Sequence, residues 1–299
     1  MSGTELSRRQ AWVAAARPQT LPAAAAPVIV GVGLAVHDGV AAVVPAVAAF
    51  VGAALIQIGT NFANDYYDAI QGADTDDREG FTRVTQAGLI EPGQVKAAMY
   101  LTFAAAVVVG SYLVYVGGVP ILVIGLLSVI SGIAYTGGPY PLGYHGLGDL
   151  FVFVFFGVIA VTGTYYVQAA AVLAAPLATT IPPGTITFEA VVASLPIAAI
   201  STNILVVNNI RDKAEDETTG KRTLAVRFGY GFSRAEYIGL LAVAYLVPVW
   251  LWLATDFSII VLLPLVTLPV AIRVAETIRT ETSGAVLNPA LETTGKLLA

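Results

Sequence analysis

Clusters of Asn and Asp residues stand at the ends of two apolar stretches, one in each half of the chain. The first cluster is Asn61, Asn64, Asp65 and Asp68, and the second is Asn208, Asn209, Asp212 and Asp216. Spacings of three and four residues put the members of each cluster on one stripe of a helix. Mg²⁺ prefers such oxygen ligands and often shares them with substrate phosphates. The two stripes therefore predict a shared divalent-metal site that binds a diphosphate.

Acidic residues at a helix end can also simply mark the point where the helix meets water. Two observations favour a functional site over that explanation. Carboxylates are expensive beside membrane helices and are usually functional there. In addition, Asn208 and Asp212 repeat the spacing of Asn64 and Asp68, so the same pattern occurs twice.

Basic residues follow each cluster in the sequence. Arg83 comes after the first cluster, and Lys221 and Arg222 come after the second. Arg binds phosphate oxygens through paired hydrogen bonds, whereas Lys acts as a point charge. We expect Lys221 and Arg222 to contact phosphate, while bases such as Arg8 and Arg234 anchor the chain at a membrane surface.

The composition indicates a membrane protein. Hydrophobic residues make up 57% of the 299 residues and charged residues 12%, whereas globular domains are about 25% charged. The chain has no Cys, which excludes disulfides, Fe–S clusters and thiolate zinc sites. Its two His residues, His37 and His145, are too few for a multi-histidine metal site. No nucleic-acid partner is expected.

Eight apolar segments approach the roughly 20 residues that a spanning helix needs. They are 20–36, 40–64, 95–116, 118–136, 149–173, 186–210, 235–254 and 257–277. With the N-terminus inside, all 15 Lys and Arg residues fall on one side, which the positive-inside rule assigns to the cytoplasm. Segment 1–18 and the long loops 69–94 and 211–234 are then cytoplasmic, and segment 1–18 is not expected to be a signal peptide.

The repeated cluster also predicts the architecture. The second and sixth apolar segments both end in a cluster, so the chain reads as two four-helix pseudo-repeats with the site between them. We expect an all-α transmembrane bundle that forms a single domain over residues 1–299.

A diphosphate bound through metal is a good leaving group, because the metal neutralises charge as the C–O bond breaks. Departure from an allylic isoprenoid leaves a carbocation, which aromatic faces can stabilise. The tyrosine candidates are Tyr66, Tyr67, Tyr135, Tyr140, Tyr144, Tyr165 and Tyr166. We expect only a minority of them to face the cation.

The two clusters, together with Asp74, resemble the Asp-rich motifs of the UbiA-type membrane prenyltransferase superfamily. Five further segments are similar to members that prenylate 1,4-dihydroxy-2-naphthoate, and they extend the resemblance over nearly the whole chain: 16–21, 82–88, 135–143, 163–168 and 220–226. The resemblance implies a helical bundle around a central cavity. It also implies Mg²⁺-dependent transfer of a polyprenyl group from its diphosphate to the naphthoate with decarboxylation, giving demethylmenaquinone and diphosphate.

The resemblance also implies roles for particular residues. The implied metal and diphosphate ligands are Asn64, Asp68, Asp212 and Asp216, assisted by Asp65 and Asp74, with Asn208 on the same stripe. Lys221, Arg222 and Arg83 are implied to bind phosphate oxygens, and Asp68, Asp212, Lys221 and Arg222 to carry the chemistry. Acceptor or cation-pocket candidates are Tyr67, Tyr140, His145 and Asp149. For His145, hydrogen bonding within its own loop is the favoured alternative.

One feature departs from the family pattern. Family members usually have nine spans, and here a ninth would begin only after residues 288–291, close to Ala299.

Two alternative functions stay open. One is prenyl transfer to another aromatic acceptor, and the other is cation transport through the carboxylates. Transporters generally place such sites near the midplane, whereas these acids lie at helix ends beside Lys and Arg. The residues give neither the prenyl chain length nor the oligomeric state.

Overall fold

The computed structural model describes residues 7–71 and 84–298, and all regular structure in those residues is helical. The α-helices are α1 (Arg8–Ala16), α2 (Leu21–His37), α3 (Val43–Gln71), α4 (Pro92–Ala134), α5 (Gly148–Val152), α6 (Ala160–Leu173), α7 (Phe188–Arg211), α8 (Lys213–Thr218), α9 (Leu224–Ala254), α10 (Leu268–Thr280) and α11 (Gly284–Leu298). A π-helical segment, Phe153–Ile159, joins α5 to α6, and a 3₁₀ segment, Ile259–Thr267, precedes α10. The expected all-α fold is confirmed.

Seven helical stretches of the described residues are long and apolar enough to cross a membrane: Arg8–His37, Val43–Ile70, Pro92–Ala134, Gly148–Leu173, Phe188–Arg211, Leu224–Ala254 and Ile259–Thr280. All eight predicted segments fall mainly on helical stretches. They match only seven stretches because α4 contains two of the segments. The count of eight separate spans remains a prediction.

Helix α4 is broken at Gly118. Its 43 residues would extend about 65 Å if straight, about twice the hydrocarbon thickness of a bilayer. Gly118 has φ +68°, and a Cβ there would lie 1.9 Å from the Ala178 carbonyl oxygen. The 174–187 connection holds the break in place, because Val119 N donates to that same oxygen and Leu177 N donates to Tyr115 O.

Long neighbouring helices pack in pairs, α3 along α4 and α7 along α9. In the predicted repeat, α3 corresponds to α7 and the first part of α4 corresponds to α9, so the two packed pairs occupy equivalent places in the two halves. Close packing of α7 also depends on Gly157 in the π-helical segment, where a Cβ would lie 2.1 Å from the Ala198 Cβ. Helices α3 and α7 both finish, at Gln71 and Arg211, at the same end of the bundle, which we call the site end.

Two expectations about the segments need correction. The predicted loop 211–234 is mostly helical, because it contains α8 and the first part of α9. Thr223 caps α9 by accepting a hydrogen bond from Val226 N at 3.4 Å, and the left-handed Gly229 (φ +80°) separates this polar start from the apolar part. The 69–94 segment is helical to Gln71, and residues 72–83 lie outside the described residues.

The last helix also begins earlier than expected. Helix α11 starts at Gly284, where Ser283 O accepts hydrogen bonds from Val286 N and Leu287 N. Pro289 lies inside this helix rather than before it. Helix α11 packs against α7 and α10. The Tyr237 hydroxyl of α9 forms a hydrogen bond of 3.1 Å with Thr294, so α11 is part of the bundle core.

Candidate active site

Tyr144 connects the two acidic clusters. It lies in a short 3₁₀ turn, Leu142–His145, after α4. The Tyr144 hydroxyl donates a hydrogen bond of 2.5 Å to Asp68 Oδ1 of α3. The Lys221 ammonium lies 4.9 Å from the centre of the same ring and 3.7 Å from Asp216 Oδ1 of α8. Asp68 therefore bonds directly to Tyr144, and Asp216 is linked to the same ring through the Lys221 ammonium.

Backbone contacts hold the Tyr144 turn in place. Arg222 N donates to Tyr144 O at 2.7 Å, and Gly143 N donates to Tyr135 O at 2.9 Å. Gly146 ends the turn with φ +71°, and a Cβ there would lie 2.9 Å from the Arg222 carbonyl oxygen. The backbone of Arg222 thus fixes the turn, while its side chain is exposed at the site end.

Tyr135 lies at the centre of the carboxylate groups. Burial raises the pKa of its phenol well above the usual range, and the nearby charges of Asp149, Asp68 and Asp216 raise it further. Carboxylates from α3, α5 and α8 therefore act together on one neutral phenol. This convergence gives the site end a concentrated negative potential, suited to a metal ion or another cation.

A large apolar cavity of about 480 Å³ reaches Tyr135 from inside the bundle. Its walls come from α2, α3, both arms of α4, the π-helical segment and α6. Leu122, Leu126 and Ile130 of α4 line it and are exposed to solvent. The cavity therefore opens toward the apolar surroundings of the bundle, and its inner end lies next to the carboxylates.

The other members of the first cluster make structural contacts. Asp65, which is 1% exposed, accepts hydrogen bonds from Thr85 N and Thr85 Oγ1 at 3.3 and 2.7 Å. Asn64 Oδ1 accepts from Thr136 Oγ1 at 2.9 Å, and Asn61 donates to Ala16 O at 3.0 Å. Asp65 therefore holds the turn before α4, and its assignment as a metal ligand stays a prediction.

The second cluster is only partly directed at Tyr144. Both oxygens of Asp212 accept hydrogen bonds from the Arg211 guanidinium, at 2.6 and 2.8 Å. Arg211 also donates to Asn288 Oδ1 of α11 at 2.8 Å, and Asn208 donates to its own helix at Ile204 O. The predicted metal ligand Asp212 is thus paired with the neighbouring Arg211, which neutralises its charge.

The acceptor candidates do not form one group. Tyr140 is exposed and stacks on His145 with ring centres 3.6 Å apart, and His145 Nδ1 lies 2.8 Å from Pro141 O. Tyr67 packs edge to face with Tyr66 at 5.0 Å. Asp149 is buried and accepts from Asn209 at 3.4 Å. Asp149 is the acceptor candidate whose charge acts on Tyr135, and His145 bonds within its loop, the favoured alternative.

The predicted residues Asp74 and Arg83 lie outside the described residues. Within residues 7–71 and 84–298, no three acidic or histidine side chains are close enough to bind a metal ion by themselves. The donor chemistry of Asp68 and Asp216 nevertheless fits Mg²⁺, which often takes few protein carboxylates together with phosphate oxygens and water.

Sequence reasoning missed three contributions. Tyr144 was one of seven tyrosine candidates, and nothing in the sequence pairs it with Asp68. Thr85 and Asn288 lie outside both clusters, and their contacts to Asp65 and Arg211 depend on how distant segments pack. The weak available signal for Tyr144 was its place between Pro141 and Gly146, which favours a tight turn.

Comparison with known proteins identifies the family. The UbiA prenyltransferase family model matches residues 24–285. The chain is 39% identical over 284 residues to 1,4-dihydroxy-2-naphthoate octaprenyltransferase of Mycobacterium tuberculosis, covering 95% of this chain and 91% of that protein. It is 35% identical over 305 residues to the enzyme of that name from Escherichia coli, covering 99% and 94%.

The fold is also found in solved structures. A UbiA homolog from Archaeoglobus fulgidus bound to DMAPP and Mg²⁺ matches with a TM-score of 0.61 and 15% sequence identity, covering 96% of each chain. At 15% sequence identity, this match shows a shared fold. The expected resemblance and helical architecture are therefore confirmed, and the apolar helices of this family member indicate an integral membrane protein.

Proposed function

Because this chain belongs to the UbiA prenyltransferase family, we propose that it transfers a polyprenyl group from polyprenyl diphosphate to 1,4-dihydroxy-2-naphthoate. The acceptor loses its carboxyl group, and diphosphate is released. The direct product is the quinol whose oxidation gives demethylmenaquinone, so the reaction belongs to menaquinone biosynthesis. The observation that carries the proposal is the meeting of Asp68, Asp216 and Lys221 around Tyr144, next to the inner end of the apolar cavity.

The similarity in sequence supports this choice of acceptor. The relatives from M. tuberculosis and E. coli are both named for 1,4-dihydroxy-2-naphthoate, and each aligns over more than nine-tenths of both chains. The five segments similar to naphthoate prenyltransferases lie in α1 to α9 or their connections, and two of them, 135–143 and 220–226, contribute Tyr135 and Lys221. The segments that indicate the acceptor therefore also build the site.

The diphosphate end of the donor belongs at the site end of the bundle. Asp68 and Asp216 would hold Mg²⁺, which supplies charge neutralisation as diphosphate leaves. Lys221 would contact phosphate oxygens as a point charge, and the exposed guanidinium of Arg222 would offer paired hydrogen bonds. The acidic groups alone would repel a diphosphate, so these cations are needed on the same side.

The apolar part of the donor belongs in the cavity. Its walls are mostly apolar, so burial of the prenyl chain there is favourable. The same walls exclude water from the allylic carbon when its C–O bond breaks. The new C–C bond forms to the ring of the acceptor, and the electron pair of the lost carboxyl bond restores the aromatic ring. The Tyr135 ring borders this region and is suited to stabilise developing positive charge.

The proposal includes a location. The uniform placement of Lys and Arg predicts that the N-terminus and the site end face the cytoplasm, in the plasma membrane of a prokaryotic cell. Membrane lipid then surrounds the cavity opening and can deliver the donor. We treat residues 1–299 as one catalytic unit.

The proposal is tested by prenyl transfer with the purified protein in liposomes. The reaction contains polyprenyl diphosphate, Mg²⁺ and 1,4-dihydroxy-2-naphthoate, with 4-hydroxybenzoate and homogentisate as competing acceptors. We expect the decarboxylated prenyl naphthoquinol, detected by mass spectrometry as the quinone that it forms on exposure to air, and no product after chelation of Mg²⁺. Transfer only to another acceptor would disprove the naphthoate assignment. Cation flux without donor, and no transfer, would support a transporter instead.

Adjacent acidic residues provide a matched pair of variants. Asp216 is buried beside Lys221, whereas Glu217 is exposed and pairs with Lys213 at 3.4 Å. We expect Asp216→Asn to abolish transfer and Glu217→Gln to retain it. Equal loss in both variants would mean that the effect of Asp216→Asn comes from general destabilisation of α8.

A further inference from the structure

The cavity wall contains a polar atom that has no part in the proposed reaction. Among the described residues, four buried side-chain atoms lack a hydrogen-bond partner: Gln57 Oε1, Ser201 Oγ, Asn203 Oδ1 and Glu236 Oε2. Gln57 is the one of these four residues that lines the cavity. Its side chain belongs to α3 and is 7% exposed, so bulk water does not satisfy this oxygen.

A chain of hydrogen bonds fixes which atom of the Gln57 amide is left over. Thr20 Oγ1 donates to Arg17 O at 2.8 Å, so it can only accept from its other neighbours. Gln57 Nε2 donates to Thr20 Oγ1 at 3.0 Å. Reversing the Gln57 amide would place an acceptor against an acceptor, because the hydroxyl has one proton.

Asn61 fixes the same orientation independently. Its amide nitrogen donates to the carbonyl of Ala16 at 3.0 Å, so its Oδ1 must face Gln57. Gln57 Nε2 lies 3.5 Å from that oxygen and again acts as the donor. Both donors of the Gln57 amide are therefore used, and Oε1 remains without a partner.

An unpaired amide oxygen in an apolar wall is costly to bury, so a ligand that donates to it gains that energy on binding. Three hydroxyl groups of the wall, by contrast, already have partners. Ser111, Ser128 and Thr164 line the cavity and donate to carbonyl groups of their own helices at 2.7 to 2.8 Å. The wall thus offers one amide acceptor that lacks a donor.

The chemistry of the proposed reactants identifies the donor. A prenyl chain has no hydrogen-bond donor, and the diphosphate binds at the carboxylate end of the bundle. The aromatic acceptor has two phenolic hydroxyls. Gln57 stands seven residues before Asn64 on α3, so the two residues are about 10 Å apart along the helix axis. An aromatic acceptor ring fits within that distance, between the metal site and Gln57.

We propose that Gln57 Oε1 accepts a hydrogen bond from a hydroxyl group of the aromatic acceptor inside the cavity, and thereby selects hydroxylated rings. This inference rests on the proposed function, since it takes the acceptor to be a hydroxylated aromatic acid. Gln57 is a binding residue in this account and takes no part in proton transfer. The Thr20 and Asn61 contacts position it.

Direct binding measurements test the inference without turnover. The dissociation constants of 2-naphthoate, 1-hydroxy-2-naphthoate and 4-hydroxy-2-naphthoate are measured by their own fluorescence, with the full chain in detergent and a prenyl thiodiphosphate present. We expect at least one hydroxylated ligand to bind about two- to tenfold more tightly than 2-naphthoate, the range of a neutral hydrogen bond. Gln57→Leu and Gln57→Met should both abolish this preference.

Gln168→Leu is the matched control. Gln168 is a buried amide outside the cavity lining, which donates to Thr164 O and accepts from Ala42 N. This variant should lose thermal stability but keep the preference for the hydroxylated ligand. The two Gln57 variants differ in shape, so the measurement remains available when one of them folds poorly.

Three results would overturn the inference. They are no preference in the wild-type protein, a preference that survives both Gln57 variants, and an equal loss of affinity for all three ligands. The last result would assign Gln57 a purely structural function through Thr20 and Asn61. Prenyl transfer by the wild-type protein in the same preparation tests the proposed function separately, because ligand binding and turnover are measured independently.

Discussion

Replacing Tyr144 with Phe removes one hydroxyl and leaves the aromatic ring in place. The hydroxyl donates to Asp68 Oδ1 at 2.5 Å, and Asp68 is 2% exposed, so water cannot replace the lost donor. A hydrogen bond to a charged group contributes about 1.5–3 kcal/mol. At about 1.4 kcal/mol per factor of ten, the bond corresponds to a ten- to hundredfold effect, the range for groups that orient a metal ligand.

We therefore expect Tyr144→Phe to raise the Mg²⁺ concentration for half-maximal prenyl transfer by roughly ten- to hundredfold. Tyr144→Leu also removes the ring beneath Lys221, so it should raise KM for the prenyl diphosphate as well. The assay is initial rate against Mg²⁺ concentration in liposomes. Tyr115→Phe, at an exposed tyrosine near the break in α4, is the control. An unchanged or lower Mg²⁺ requirement in Tyr144→Phe would refute this reasoning.

Three further predictions concern stability and order. Gly118→Ala places a side chain at φ +68° against Ala178 and should lower the free energy of unfolding by more than about 1–2 kcal/mol. The control Gly110→Ala has open space around it and should not lower the melting temperature in detergent. Thr294→Val leaves the Tyr237 hydroxyl buried without its partner and should cost about 1–3 kcal/mol; an unchanged melting temperature would show that α11 is not docked there. Thr85→Val should speed limited proteolysis of the 84–91 turn, and equal cleavage rates would show that its bonds to Asp65 do not hold the turn.

The sequence was sufficient for the features that depend on local pattern. Asn64 and Asp68 lie four residues apart, and helical periodicity alone predicts that they share a stripe. The apolar segments likewise predict the helices, because backbone groups in a bilayer must be paired within the chain. Repetition of the spacing at Asn208 and Asp212 supported a site between two halves of the bundle.

Features that depend on contacts between distant segments were not predictable in this way. The pairing of Asp212 with Arg211 involves adjacent residues, but its orientation depends on Asn288 of α11. The start of α11 at Gly284 was misjudged, because a last helix was expected only after residues 288–291. In the 211–234 segment, polar composition suggested a loop, whereas capping by Thr223 allows α9 to begin there.

The claim that both acidic clusters act on one diphosphate is tested most directly by a double-mutant cycle. Mg²⁺-dependent binding of a non-hydrolysable prenyl diphosphate is measured for the wild-type protein, Asp68→Asn, Asp216→Asn and the double variant. Because both carboxylates meet through Tyr144 and Lys221, we predict that the double variant loses little more affinity than either single variant, with a coupling of about 1 kcal/mol or more. Additive losses, or full binding in any of the variants, would contradict a single shared site.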